Sequence, residues 1–128
     1  MSYYYSKTLD LSFEDAIDKT TEALSEEGFG VLTEIDIKAT LKKKLDVDFK
    51  KYQILGACNP LLAHKALSAE DHIGLMLPCN VIVQEHENGE VEVSAVDPIA
   101  SMQAIENDEL GEIAQEVRNL LKKVIDNL

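Results

Sequence analysis

Two cysteines in similar short motifs are the residues most closely tied to chemistry in this sequence. Cys58 lies in the segment GACNP (56–60), and Cys79 lies in the segment LPCN (77–80). The Asn-Pro pair after Cys58 is typical of a helix start, because Asn59 can cap the first turn. Proline is tolerated at the first helical position, since the backbone N–H that it lacks would have no acceptor within the helix. The unpaired N–H groups and the positive end of such a helix favour the thiolate of Cys58, which is the nucleophilic and metal-binding form.

The second motif is predicted to end another strand, with Pro78 and Cys79 at its corner. Pairing of the two strands in one sheet would place both thiols side by side. Asn59 and Asn80 follow the two cysteines, and each can donate an amide hydrogen bond to a thiolate or to a ligand. We therefore predict a small-ligand site at the strand ends. The alternative is that both cysteines are small core residues.

A metal site at these thiols would need further ligands, and His64 is the one nearby candidate, about one helical turn beyond Cys58. Zinc accepts cysteine and histidine together, but a C-x5-H spacing is not diagnostic and no CxxC is present. A solvent-facing histidine is the alternative interpretation. The sequence assigns no metal, cofactor or catalytic residue, and it contains no P-loop, dinucleotide-binding, nucleophile-elbow or HExxH pattern. The predicted ligand-binding residues are Cys58, Asn59, Pro60, His64, Pro78, Cys79 and Asn80.

The charge balance limits the kinds of molecule that the protein is expected to bind. The 128 residues include 12 Lys and Arg against 24 Asp and Glu, a net charge of −12. A surface of that sign repels phosphate backbones, so we do not expect nucleic-acid binding. The most apolar stretch, 73–83, contains Pro78 and Asn80 and is too short to cross a bilayer, so no membrane association is expected. Without an apolar leader at the N-terminus, the expected compartment is the cytoplasm, where both thiols stay reduced.

Hydrophobic periodicity predicts a single α/β (α+β) domain over residues 1–128. Caps at Ser12, Asp36 and Asn59 mark three helix starts, and a stripe from Leu110 to Leu128 marks a last helix. The predicted order is β-α-β-α-β-α-β-β-β-α. This order favours a two-layer sandwich with a mixed sheet of about six strands, a C-terminal β-hairpin and helices mainly on one face. The predicted strands are 3–9, 29–35, 52–57, 73–77, 81–86 and 91–96.

The C-terminal hairpin is predicted from Asn88-Gly89, the preferred pair for a two-residue type I′ turn. That turn places Glu87 opposite Glu90 and Glu85 opposite Glu92, with Gln84 and His86 on the other face. Like charges directly opposite each other are unfavourable. We interpret these glutamates as a solvated acidic edge, with a weak cation site as the alternative.

Positive charge is concentrated in one segment. Residues 38–51 hold six of the twelve basic residues and carry a charge of +4, which leaves −16 for the rest of the chain. The segment could contact an anionic ligand or the acidic surface of a second copy, and from the second option we predict a homodimer. The alternative is a solvated helix face.

Three segments together resemble one protein family. GACNP (56–60), GLMLPCNV (74–81) and VDP (96–98) are similar to motifs of the domain of unknown function 302 family of bacteria and archaea, and the likeness covers essentially the whole chain. The resemblance implies a compact α/β domain that usually stands alone as a small protein. It implies no reaction, and it adds Asp97 and Pro98 to the motif positions, none of which has a known role. On this resemblance we include Asp97 among the predicted ligand-binding residues.

Two functions of different classes follow. The first is a small-ligand-binding or stress-related module with its site at the Cys58 and Cys79 strand ends. The second is a thiol-dependent enzyme or a metal-binding redox protein that uses the same two residues. The thiol pKa values and the metal content of the purified protein would separate them.

Overall fold

Short alternating strands and amphipathic helices build the chain, whose computed structural model describes residues 2–128. Ser12 caps the first helix by accepting a hydrogen bond from the Asp15 N–H, and Asn59 and Asp36 cap later helices in the same way. The strands are β1 (Tyr4–Leu9), β2 (Gly30–Asp36), β3 (Tyr52–Cys58), β4 (Cys79–Glu85) and β5 (Val91–Val96). The helices are α1 (Phe13–Glu26), α2 (Ile37–Leu45), α3 (Pro60–Ala69), α4 (Pro98–Ser101) and α5 (Asp108–Asp126), with a 3-10 helix at Asp71–Met76.

The sheet has five strands in the order β1-β5-β4-β3-β2, and every neighbouring pair is antiparallel. The α+β class is confirmed, whereas the predicted mixed sheet of about six strands is wrong. The predicted strand at 73–77 is instead part of the 3-10 helix, in which Ile73 is buried and Leu75 is 84% exposed. A short apolar run does not by itself distinguish a strand from a helical turn. The predicted order of elements fails at this point and also omits α4.

The two faces of the sheet differ because side chains alternate along each strand. Val81, Val83, Val91 and Val93 point to one face and are fully buried against α1 and α5. The side chains between them point to the opposite face, which we call the open face. Helices α1 and α5 therefore lie on the same side of the sheet and leave part of the open face to solvent.

Helix α5 follows the predicted stripe. Leu110, Val117, Leu121 and Val124 are buried, and Asn107 caps the helix by accepting a hydrogen bond from the Glu109 N–H. Burying these four side chains stabilises the fold by about 1.5–3 kcal/mol each. Among residues 2–128, no helix combines the length and the apolar composition needed to cross a bilayer.

The β4–β5 hairpin has a longer loop than predicted. His86 pairs with Glu90 through a backbone hydrogen bond of 2.8 Å, and Gly89 at φ +86° donates to the His86 carbonyl. These features fit a three-residue loop with glycine in the left-handed position, in place of a two-residue turn. The register consequently slips by one residue, so Glu85 lies opposite Val91 and Glu92 lies opposite Gln84. The predicted pairing of Glu85 with Glu92 is wrong, and Glu92 moves to the open face.

Candidate functional site

One end of the sheet brings the two cysteines to a shared cavity. Cys58 is the last residue of β3 and Cys79 is the first of β4, and the pairing of these strands places Ala57 opposite Cys79. Both thiols border a cavity of about 30 Å³, whose wall also includes Asn59 and Pro78. We call this space the strand-end cavity. The remainder of its wall is apolar and comes from β3, α3 and α5, with Phe29, Leu77 and Met102 between the elements.

Local sequence explains how this end is built. The Asn59 side chain accepts a hydrogen bond from the Leu62 N–H at 3.3 Å, and Pro60 is the first residue of α3. Gly56 provides space for the turn that precedes β4, because a Cβ at that position would lie 2.8 Å from Pro78 Cγ and would also overlap Thr33. A side chain at position 56 would therefore force the side chains of Thr33 and Pro78 to move.

The two thiols have different environments. Cys79 is buried and Cys58 is half-buried. Burial raises the pKa of Cys79 to about 11, and the nearby charge of Cys58 adds to the shift. At neutral pH, only about one Cys79 thiol in ten thousand is then a thiolate. Cys79 is therefore a poor nucleophile in the folded protein.

Three of the predicted site residues lie elsewhere. His64 lines a shallow surface groove beside Lys65 on α3, and Asn80 points to the open face, opposite to Cys79. Asp97 caps α4 through the Ile99 N–H and lies 3.6 Å from the Arg118 guanidinium. Within the described residues, no group of three or more His, Cys, Asp or Glu side chains could hold a metal ion. The strand-end cavity thus combines Cys58, Asn59, Pro78 and Cys79, with Pro60 beside them in α3.

The volume of the strand-end cavity limits what it can hold. A cavity of about 30 Å³ has room for two or three water-sized spheres, since each occupies about 10–15 Å³. Pockets that enclose small organic molecules are about ten times larger. The strand-end cavity can therefore accommodate a very small group, but not a metabolite.

A larger concave site lies on the open face, across β1, β5, β4 and β3. Its volume is about 400 Å³, within the usual range for small-molecule sites. Three of the four tyrosines of the chain line it, together with a carboxylate, two amides and a hydroxyl. We call this site the open-face groove. Its lining residues are Tyr3, Tyr4, Tyr52, Asn80, Ile82, Gln84, Glu92, Ser94, Ala95 and Val96.

Glu92 is the centre of a hydrogen-bond network in this groove. Its carboxylate accepts hydrogen bonds of 3.2 Å from Ser6 Oγ and from Gln84 Nε2, and it lies 3.2 Å from His86 Nε2. Gln84 in turn accepts a 2.7 Å hydrogen bond from the Lys50 ammonium. The network fixes the position of the Glu92 carboxylate on the open face.

The tyrosines supply aromatic surface to the same groove. The rings of Tyr3 and Tyr4 meet edge to face, with centroids 5.1 Å apart. Burial raises the pKa of Tyr52, and the charges of Tyr3 and Glu92 add to the shift, so the Tyr52 phenol stays protonated at neutral pH. The groove thus combines three tyrosine rings with one fixed carboxylate.

The groove was not predicted from the sequence, for two reasons. The tyrosines at positions 3–5 were interpreted only as strand-forming residues, although three aromatic residues in a row are unusual in a chain with 5% aromatics. The predicted hairpin register also separated Glu92 from Gln84 and His86. A three-residue loop at 87–89, in place of the type I′ turn, predicts the register that brings these three side chains together.

Comparisons with known proteins identify relatives but no activity. The model of the family described as Domain of unknown function DUF302 matches residues 5–128. A crystal structure of an uncharacterized conserved DUF302 protein from Bacillus stearothermophilus superimposes with a TM-score of 0.91. The two sequences are 28% identical, and the alignment covers 98% of each chain. No curated protein matches the chain.

Proposed function

The chain belongs to the DUF302 family, whose function is unknown, and from that premise we propose that the protein is a small-ligand-binding module whose ligand occupies the open-face groove. The observation that carries this proposal is the convergence of aromatic, amide and carboxylate side chains on one concave space of about 400 Å³. Sites for small organic molecules have this volume and this mixture of apolar walls with a few fixed polar groups.

The arrangement of Glu92 favours binding over nucleophilic catalysis. A serine nucleophile needs a general base, most often a histidine, within hydrogen-bond reach of its hydroxyl. Here the Glu92 carboxylate lies between Ser6 and His86 and contacts both, so the imidazole is not placed to accept the serine proton. The network instead holds a carboxylate in one orientation, which suits recognition of a ligand.

The proposal predicts that ligands are lost when the groove is filled. A fragment library is screened by ligand-observed NMR against wild type, against Ile82→Arg in the groove, and against Leu75→Arg as the matched control. Leu75 is 84% exposed and lies outside the groove, so the control carries the same new charge and bulk. We expect hits that Ile82→Arg abolishes and Leu75→Arg retains. A screen without hits, or hits that both variants retain, contradicts the proposal.

Thiol chemistry at Cys58 is a second candidate function. It is favoured by the half-exposed position of Cys58 directly before the start of α3 and by the presence of Cys79 on the same cavity. The raised pKa of Cys79 opposes it, because a resolving cysteine must ionise to attack an oxidised partner. A metal-binding version would need a third ligand, and residues 2–128 offer none beside the two thiols.

We also propose that the single domain forms a homodimer in the cytoplasm. Four lysines of the basic segment make contacts within the chain, and Lys42 already pairs with Asp46 and Asp48. The edge strand β2 offers the better contact, because its outer side has no neighbouring strand and Leu32 is 67% exposed. The two free thiols support a reducing compartment.

A further inference from the structure

We propose that the open-face groove binds a small organic cation, an alkylammonium or quaternary ammonium compound. This inference rests on the proposed function and adds the chemical class of the ligand. It is carried by the juxtaposition of three tyrosine side chains with the Glu92 carboxylate.

The tyrosines provide the surface that an organic cation prefers. The negative face of an aromatic ring attracts an ammonium group within about 6 Å, and the attraction grows when the cation is removed from water. Tyr3 and Tyr4 stand at 74° to each other, so their rings form two walls in place of one flat surface. Tyr52 contributes a third ring from β3. Quaternary ammonium groups suit such a site because they hold water weakly.

The Glu92 carboxylate supplies the opposite charge. It is held by the hydroxyl of Ser6 and the amide of Gln84, which leave its negative charge in place. Among residues 2–128, no lysine or arginine nitrogen lies within 4.0 Å of it, and His86 is its one ionisable partner at that distance. The side chain is 27% exposed, so it is partly shielded from water but still reachable from the groove.

A lysine of the chain already makes these contacts at the margin of the groove. The Lys50 ammonium lies 5.9 Å from the centroid of the Tyr52 ring and 2.7 Å from the Gln84 amide oxygen. This surface therefore stabilises an ammonium group with an aromatic ring and an oxygen acceptor. A ligand cation would use Tyr3, Tyr4 and Glu92 in the same way, while the charge of Lys50 would weaken its binding.

Other ligand classes fit the groove less well. An anion would meet the Glu92 carboxylate and a chain with a net charge of −12. A bare divalent metal ion needs several oxygen ligands, and the groove offers one carboxylate. A neutral apolar ligand would leave the Glu92 charge without a new partner. An organic cation uses both the rings and the charge.

The test compares choline with 3,3-dimethyl-1-butanol, its uncharged carbon isostere, by NMR titration of the full-length protein. We expect choline to bind about tenfold more tightly, which is the range of cation–π and ion-pair contributions. Glu92→Gln should remove most of this preference, and Glu87→Gln, the same change on the hairpin loop, should not. Lys50→Gln should increase choline affinity, because it removes a competing cation.

Each outcome separates the ligand class from the site. Equal binding of both compounds in the groove overturns the cation inference and leaves the proposed function standing. The same holds if neither compound binds but the fragment screen gives groove hits. A loss of choline binding in Glu87→Gln as large as in Glu92→Gln also overturns the inference. If groove resonances shift with protein concentration alone, a second copy occupies the groove, which overturns both proposals.

Discussion

The Glu92 carboxylate lies 3.2 Å from the side-chain amide of Gln84, because the two residues face each other across β4 and β5. This contact exists only in the register set by the three-residue loop. The same register places Glu92 on the open face, where its carboxylate is the one negative charge of the groove. The loop geometry and the chemistry of the groove are therefore linked through a single backbone feature, the left-handed conformation of Gly89.

Substitution of Gly89 tests the assigned loop conformation. At φ +86°, a Cβ is strained, so Gly89→Ala should lower the free energy of unfolding by about 1 kcal/mol. Gly89→Asn should cost less, since asparagine tolerates the left-handed region better than other residues. Urea denaturation of both variants measures the difference. Equal losses for alanine and asparagine would contradict the assigned loop.

The packing of α5 predicts a large effect at Val117. This side chain is 8% exposed within the main core, so Val117→Asp should lower the free energy of unfolding by about 3 kcal/mol or more. Gln115→Asp places the same residue on the exposed face of the helix and should have little effect. The midpoints of chemical denaturation compare the two. An unchanged midpoint for Val117→Asp would refute the packing of this helix.

The two cysteines should react with iodoacetamide at different rates. Cys58 is half-buried and should label at neutral pH, whereas the Cys79 thiol is buried and its pKa is about 11, so it should label slowly until the pH approaches that value. Peptide mass spectrometry over a pH series reads both sites in wild type, Cys58→Ser and Cys79→Ser. Labelling of Cys79 as fast as Cys58 at pH 7 would show that the burial of Cys79 is not maintained in solution.

The raised pKa of Cys79 also predicts a loss of stability in alkali. The folded state holds the thiol proton more tightly than the unfolded state, in which the thiol keeps its ordinary pKa of about 9.0. This contribution is therefore fully present below about pH 9 and is lost as the pH rises towards 11. Over that interval, Cys79→Ala should lose about 2 kcal/mol less stability than wild type. Parallel stability curves for the two proteins would contradict the assignment.

The edge strand β2 carries the dimer prediction. Leu32→Lys puts a charge on the exposed edge and should shift a dimer towards the 14.2 kDa monomer, while Leu75→Lys should not. Light scattering at tens of micromolar protein measures the mass at low and high salt. A monomeric wild-type protein under both conditions rules out the dimer.

The sequence was sufficient to predict an element where its pattern clearly favoured one type of secondary structure. The stripe from Leu110 to Leu128 has the period of a helix, and Asn59-Pro60 is a strong helix start, so both elements were predicted correctly. The segment 73–77 is apolar throughout and has no hydrophobic period. The tertiary contacts of Ile73 therefore determine its backbone conformation.

The candidate sites show a similar division. Cys58 and Cys79 were predicted to meet because each was placed at the end of a strand. Cys79 instead begins β4, and both thiols border one cavity. Its small volume depends on packing between β3, α3 and α5, which no local pattern encodes. Asn80 is an example of a site residue that was wrongly placed beside Cys79. Successive side chains along a strand point to opposite faces, so Asn80 lies on the open face.

The same alternation along β4 has a consequence for how this protein can diverge. Val81 and Val83 point into the core, whereas Ile82 and Gln84 point into the groove. Because these two sets do not touch each other, substitutions at the groove positions can change what is recognised without weakening the core. Selection for ligand preference and selection for folding thus act on different residues of the strand. Proteins built on this sheet could acquire different ligands while the scaffold stays unchanged.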